Sequence, residues 1–288
     1  MNLATSLIGN RIEPLDYGVM LAESEPSTIF PELNDVLRQY AERVKSALSE
    51  NLVGVYLAGS FAVGDADAYS DVDLMVITER EITESQLAHL QALHGELYDL
   101  DSEWAQHLEI SYMPCALLND QASVGITKLW YLDNGQRSLQ LRTHDNSWVV
   151  RWVLRDCGIP LIGPAAITLI NPIPENLLKD NLCAVVRTWG GDIVADPNLM
   201  DARWYQAFVV MTWCRILMSL ETGRIYSKPA SARWAQQTLG ERWAVLIEKT
   251  LNERPIPWEI KVYESAKPEV LKETLEFTRY VLKRVGKV

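Results

Sequence analysis

Residues Val53–Thr78 read VGVYLAGSFAVGDADAYSDVDLMVIT, opening on a short apolar run that meets a Gly-Ser pair at 59–60. This is the pattern of a buried strand running into a tight turn. A loop with Gly64 and several aspartates follows. Then Asp71-Val72-Asp73-Leu74 alternates acid with apolar before the chain turns wholly apolar through Ile77. A strand repeats every two residues, so Asp71 and Asp73 leave the same face, with Cα atoms roughly 6.5–7 Å apart.

Two carboxylates so placed repel each other unless a cation lies between them. Oxygen donors with few His or Cys nearby favour Mg²⁺, which takes one or two carboxylates and fills its shell with water and substrate phosphates. Gly59 and Ser60 let a triphosphate approach the backbone, because glycine permits close approach and free amides at a turn attract anions. Ser70 can hold the loop or cap an acid. The plain alternative is a hairpin with a solvated Asp-rich loop, since Asp and Ser favour turns.

Working outward, Leu33, Val36, Leu37, Tyr40, Val44 and Leu48 fall at helical spacing, so a helix over 32–50 precedes the first strand. The first thirty residues read as irregular, broken by Pro14, Pro26 and Pro31. After the aspartate strand, Leu87, Leu90, Leu93 and Leu97 predict a helix over 84–98. His107–Met113 alternates as a strand ending at Pro114, with Glu109 near its start. A strand beside the aspartates would bring this third carboxylate to them; the alternative is an edge-strand acid facing water. Residues 117–147 show weak patterning with possible irregular strands, and 148–154 a short helix. Pro and Gly then thicken to Pro174, which marks the domain boundary. Helical spacings predict helices over 175–189, 203–221, from Pro229 to Gly240, 241–252 and 267–286, a bundle of about five.

At 288 residues, 48% hydrophobic and 23% charged, the composition is that of a globular chain of one or two domains. The net charge of −11 argues against nucleic acid as partner and favours a cationic small molecule. No apolar run is long enough for a membrane span, and the N-terminus lacks a secretion signal. The scattered Cys115, Cys157, Cys183 and Cys214 read as free thiols in a reducing cytoplasmic compartment.

The string Gly59-Ser60, spacer, Ser70-Asp71-Val72-Asp73-Leu74 resembles the signature of the polymerase-beta-like nucleotidyltransferase superfamily, which implies Mg²⁺ at Asp71 and Asp73. Leu161–Ala166, Arg215-Ile216, Ser219–Ile225, Ser227-Lys228 and Arg233-Trp234-Ala235 look like the helical domain of the aminoglycoside adenylyltransferases that modify streptomycin and spectinomycin. The likeness covers most of the chain, strongest over 53–78 and 205–235. It implies an α+β fold: a nucleotidyltransferase domain over 1–164 with a mixed sheet, then a helical domain over 165–288 that closes on the nucleotide. It also implies that Leu108-Glu109-Ile110 supplies the catalytic base or a third metal ligand, and that Arg215 and Lys228 contact the triphosphate.

For the acceptor, Trp130 is the nearest match to a tryptophan that follows the catalytic Glu in streptomycin-modifying members. Trp189, in Trp-Gly-Gly-Asp, offers a stacking face beside an acid for a cationic sugar. An ungapped comparison puts Tyr205 where the family has an antibiotic-contacting acid; Asp201, Asp192 or Asp196 fills the place if the gap shifts. Either tryptophan can equally be core. Trp243 and Tyr263 are the candidates for stacking on adenine. The activity implied is transfer of AMP from ATP, with two Mg²⁺, to a hydroxyl of a small cationic acceptor, by a monomer. The alternatives are a protein hydroxyl as acceptor, or a silent nucleotide-binding module.

Overall fold

The structure is a computed structural model that describes residues 27–66, 70–254 and 264–286. The expected irregular N-terminus and Tyr263 lie outside the described residues, apart from the bend leading into the first helix.

Helix α1 (Pro31–Leu48) begins with proline in its first turn and places Leu33, Val36, Leu37, Tyr40, Val44 and Leu48 in the core. Burying one such side chain stabilises by about 1.5–3 kcal/mol, so this stripe, rather than helix propensity, holds α1 in place. Strand β1 (Leu52–Leu57) leads into a single helical turn, α2 (Gly59–Ala62), and β2 (Val72–Thr78) returns antiparallel to β1. Helix α3 (Glu84–Tyr98) starts with a capping box made by Thr83 and Gln86. With the short α4 (Glu103–Gln106) it forms the crossover that a parallel partner requires, and β3 (Leu108–Pro114) pairs parallel to β2. Pro114 belongs to β3 as its last residue.

The weakly patterned region holds α5 (Cys115–Leu118), β4 (Leu129–Leu132) and β5 (Gln140–Arg142), which extend one sheet edge. Helix α6 (Trp148–Cys157) precedes β6 (Ile159–Ile162), which closes the other edge against β1. The proline- and glycine-rich stretch that suggested a domain boundary therefore begins with a strand of the sheet. The strand order is β5-β4-β3-β2-β1-β6.

One sheet face carries Val55, Leu57, Val72, Leu74, Val76, Leu108, Ile110 and Tyr112 and packs under α1 and α3. The other carries Tyr56, Met75, Ile77, Met113 and Leu129, with Leu154 of α6. Asp73 and Glu109 share this second face, at the N-terminal ends of β2 and β3.

The helical half comprises α7 (Glu175–Ala195), α8 (Arg203–Thr222), α9 (Lys228–Thr238), α10 (Glu241–Glu253) and α11 (Pro268–Val285). Helix α7 runs past Gly190 and Gly191, longer than its pattern predicts. Gly223, at φ +70°, ends α8 in the left-handed conformation that glycine adopts freely. These helices share a core around Trp213, whose Nε1 donates to Thr278 Oγ1 at 2.9 Å. Trp148, Val149 and Trp152 of α6 pack into this core while Val150 and Leu154 face the sheet, so α6 straddles the two halves. No helix among the described residues is long and apolar enough to cross a membrane.

Under α3, His94 is buried and its Nε2 pairs with Tyr112 Oη at 2.8 Å, which pairs with Tyr40 Oη at 3.1 Å. Burial pulls the His94 pKa down to about 3. The unfolded chain, with a histidine pKa near ~6.5, therefore takes up a proton that the folded chain refuses, and stability present above that pH is lost as pH falls toward 3. Between pH 7 and pH 5 this amounts to about 2 kcal/mol. Urea unfolding of His94→Gln over that range should show a loss smaller by about that amount; equal losses would mean His94 is protonated in the fold.

Candidate active site

Register brings the acids together. Asp73 lies directly opposite Glu109 in the parallel pair, and Asp71 precedes β2 on the same face. Carboxylate oxygens of Asp71, Asp73 and Glu109 lie within 4.8 Å of one another.

The Gly-Ser turn closes over them. The Ala58 amide donates to the Asp73 carbonyl at 2.8 Å, and Gly59 follows at φ +55°. A Cβ at Gly59 would sit 1.7 Å from Asp73 Oδ2, so only glycine lets the turn lie against that carboxylate. Ser60 Oγ is buried with no partner among the described residues, and Ser70 is buried beside Asp71.

Crowding sets the electrostatics. Burial pushes the Asp73 carboxyl well up, and Asp71, Glu109 and Asp145 push it further. Glu109 is raised first by burial, with His144 pulling the other way. From the helical half, Arg215 on α8 and Lys228 at the head of α9 face this group. Burial lowers both pKa values, Arg215 lowers Lys228 further, and Asp71 and Asp73 oppose the shift in each. Lys228 Nζ stands 4.6 Å over the Phe208 ring.

A second layer, absent from the sequence reading, backs Glu109. His144 Nε2 lies 3.5 Å from Glu109 Oε1 and 3.6 Å from Asp145 Oδ1. Asp145 accepts from Ser111 Oγ at 2.6 Å, and Tyr131 Oη donates to Asp133 at 3.2 Å. The bond to Glu109, ahead of the other acids, lifts the His144 pKa to about 9. No periodicity announces these residues, because strands of three and four residues fold them back beside β3.

The acceptor candidates separate. Trp130 pairs with Tyr112 and packs on the α1 side of the sheet, away from the acids, so the structure does not bring it to the site. Alternation along β4 gives the catalytic face to Tyr131 instead. Trp189 packs tilted against Trp213, with ring centroids 4.6 Å apart, and donates Nε1 to Tyr205 Oη at 2.8 Å. Trp189 and Tyr205 also touch Phe208, the ring beneath Lys228. Asp192, Asp196 and Asp201 are exposed, with Asp196 capping the turn at 197–200. Trp243 is buried against Phe277 in the helical core.

Three acids at these distances suit a hard divalent cation, since burial and mutual repulsion both disfavour the charged forms of Asp73 and Glu109 and such an ion offsets both. Without divalent ions, Asp73→Asn should therefore stabilise the protein by about 1 kcal/mol or more, roughly 2–4 °C in Tm. Mg²⁺ should raise the Tm of the parent chain and leave the variant's unchanged. A destabilised variant, or one that still responds to Mg²⁺, would contradict the assignment.

Comparisons with known proteins agree with this architecture. Residues 37–126 match a nucleotidyltransferase domain, and residues 168–283 match the C-terminal domain of aminoglycoside adenylyltransferases, together more than half of the chain. A spectinomycin 9-adenylyltransferase of Staphylococcus aureus is 24% identical over 221 residues, covering 71% of this chain and 78% of the relative. An aminoglycoside (3'')(9) adenylyltransferase of Escherichia coli is 24% identical over 242 residues, covering 76% and 84%. A spectinomycin adenyltransferase from Enterococcus faecialis, solved with ATP and spectinomycin, shares the fold at a TM-score of 0.62 and 14% identity, covering 88% of this chain and 98% of that one. With a nucleotidyltransferase domain leading into this helical domain, the chain is a nucleotidyltransferase and belongs to the aminoglycoside adenylyltransferase family.

Proposed function

We propose that the protein transfers AMP from ATP to a hydroxyl of a small cationic antibiotic of the streptomycin or spectinomycin type, acting as a single chain in the cytoplasm. The observation that carries this is the half-buried group of Asp71, Asp73 and Glu109 facing Arg215 and Lys228 across the two halves. Asp71, Asp73 and Glu109 would hold two Mg²⁺, which when bound neutralise phosphate charge and favour in-line displacement.

The protein's own groups do the rest. Gly59 and Ser60 receive the triphosphate, the buried Ser60 hydroxyl gaining a partner, while Arg215 and Lys228 oppose the charge that grows on departing pyrophosphate. Glu109 accepts the proton of the attacking hydroxyl. Trp189 and Tyr205 offer an aromatic wall for a cationic sugar, with Asp192 and Asp201 as exposed acids nearby in sequence. The chain's charge of −11 draws the cation in and turns nucleic acid away. The names of the relatives and the ATP and spectinomycin in the fold neighbour support this reading.

Incubation with α-labelled ATP, Mg²⁺ and streptomycin, spectinomycin or cell extract should label an antibiotic and release pyrophosphate. EDTA should stop the reaction. Glu109→Gln should lower kcat about 10²–10⁴-fold with Tm kept within a few degrees. Label on protein in the extract alone would move the acceptor to a protein hydroxyl; absence of label everywhere would leave a binding module.

A further inference from the structure

The loop that leaves the Gly-Ser turn is fastened at both ends of the active-site cleft. The Asp65 amide donates to the Ser60 carbonyl at 3.2 Å, which fixes the residue to the turn through its backbone. Its carboxylate accepts from Ser227 Oγ, 162 residues away in the helical half, and lies 3.4 Å from Arg233 Nη2. Ser227 is buried and caps α9, its Oγ accepting from the Ala230 amide at 3.1 Å and its carbonyl from Ser231 Oγ at 2.8 Å. The next residue is Lys228. Asp65 thus joins the two elements that face the nucleotide's phosphates in the proposed reaction.

The two contacts differ in character. The Arg233 side chain is 60% exposed, and an ion pair in water at over 3 Å is weak and screened by salt. Ser227 has no such freedom, since its hydroxyl serves the helix cap and its backbone is held by Ser231. A carboxylate bonded to it fixes where the first turn of α9 starts relative to α2, and with it the root of the Lys228 side chain.

We propose that Asp65 is a positioning residue: through Ser227 it sets the first turn of α9 against the Gly-Ser turn, so that Lys228 is aimed at Asp71, Asp73 and Glu109 before nucleotide arrives. The role of Lys228 in this inference rests on the proposed AMP transfer; the fastening of α9 does not.

Two measurements on the full-length protein test it. Without nucleotide, hydrogen exchange at the first-turn amides of α9 should speed up about tenfold in Asp65→Ala, stay near the parent in Asp65→Asn, which keeps an acceptor for Ser227, and remain unchanged through α10. With Mg²⁺ and ATP, Asp65→Ala should raise the KM for ATP about tenfold with a smaller effect on kcat. In a Lys228→Ala background the same change should add nothing. Unaltered exchange in Asp65→Ala would overturn the fastening. Effects on KM that multiply in the double variant would overturn the route through Lys228. A parent chain with no affinity for Mg·ATP would instead defeat the transferase reading, and the exchange measurement would still decide the role of Asp65.

Discussion

Repulsion among buried like charges is the constraint the structure answers. Asp73, Glu109 and Asp145 crowd one end of a sheet face beside Asp71, and burial already disfavours ionisation of these three. Each remaining feature of the site offsets that repulsion or fixes its geometry. The parallel pairing of β2 and β3 sets the acids in register. Gly59 admits the Asp73 carboxylate beneath the turn, Arg215 and Lys228 supply positive charge from the helical half, and His144 supplies it beside Glu109.

Much of this was legible in the sequence because it was written in local periodicity. Period two put Asp71 and Asp73 on one face, and helical stripes marked α1, α3 and the five long helices. What escaped depends on pairing between distant segments. His144, Asp145 and Tyr131 reach Glu109 only because β4 folds back along β3 and β5 along β4, and such short strands carry almost no pattern of their own. The same cause misplaced Trp130: its position along the chain suited an acceptor contact, but one residue's difference in a strand exchanges the two faces of the sheet. The stretch around Pro160 stands in the Pro- and Gly-rich run that suggested a domain boundary, and it holds an edge strand, which tolerates proline.

The helical half does more than cover the cleft. Helix α8 carries Arg215 toward the acids and Tyr205 and Phe208 toward Trp189, so a single rigid element connects the cations that face the acids to the aromatic cluster. Lys228 rests on Phe208 and joins these two regions. Changes in the aromatic cluster are therefore transmitted to the cation through direct contact of rings and ammonium.

Helix α6 has one side in each hydrophobic core, with Trp148 and Trp152 in the helical core and Leu154 against the sheet. Cutting the chain before or after it would strip apolar surface from one fragment and leave it exposed on the other. The two halves are consequently not interchangeable cassettes. A chimera that borrows its bundle from a relative must import the donor's equivalent of α6, together with the sheet residues on which that helix rests.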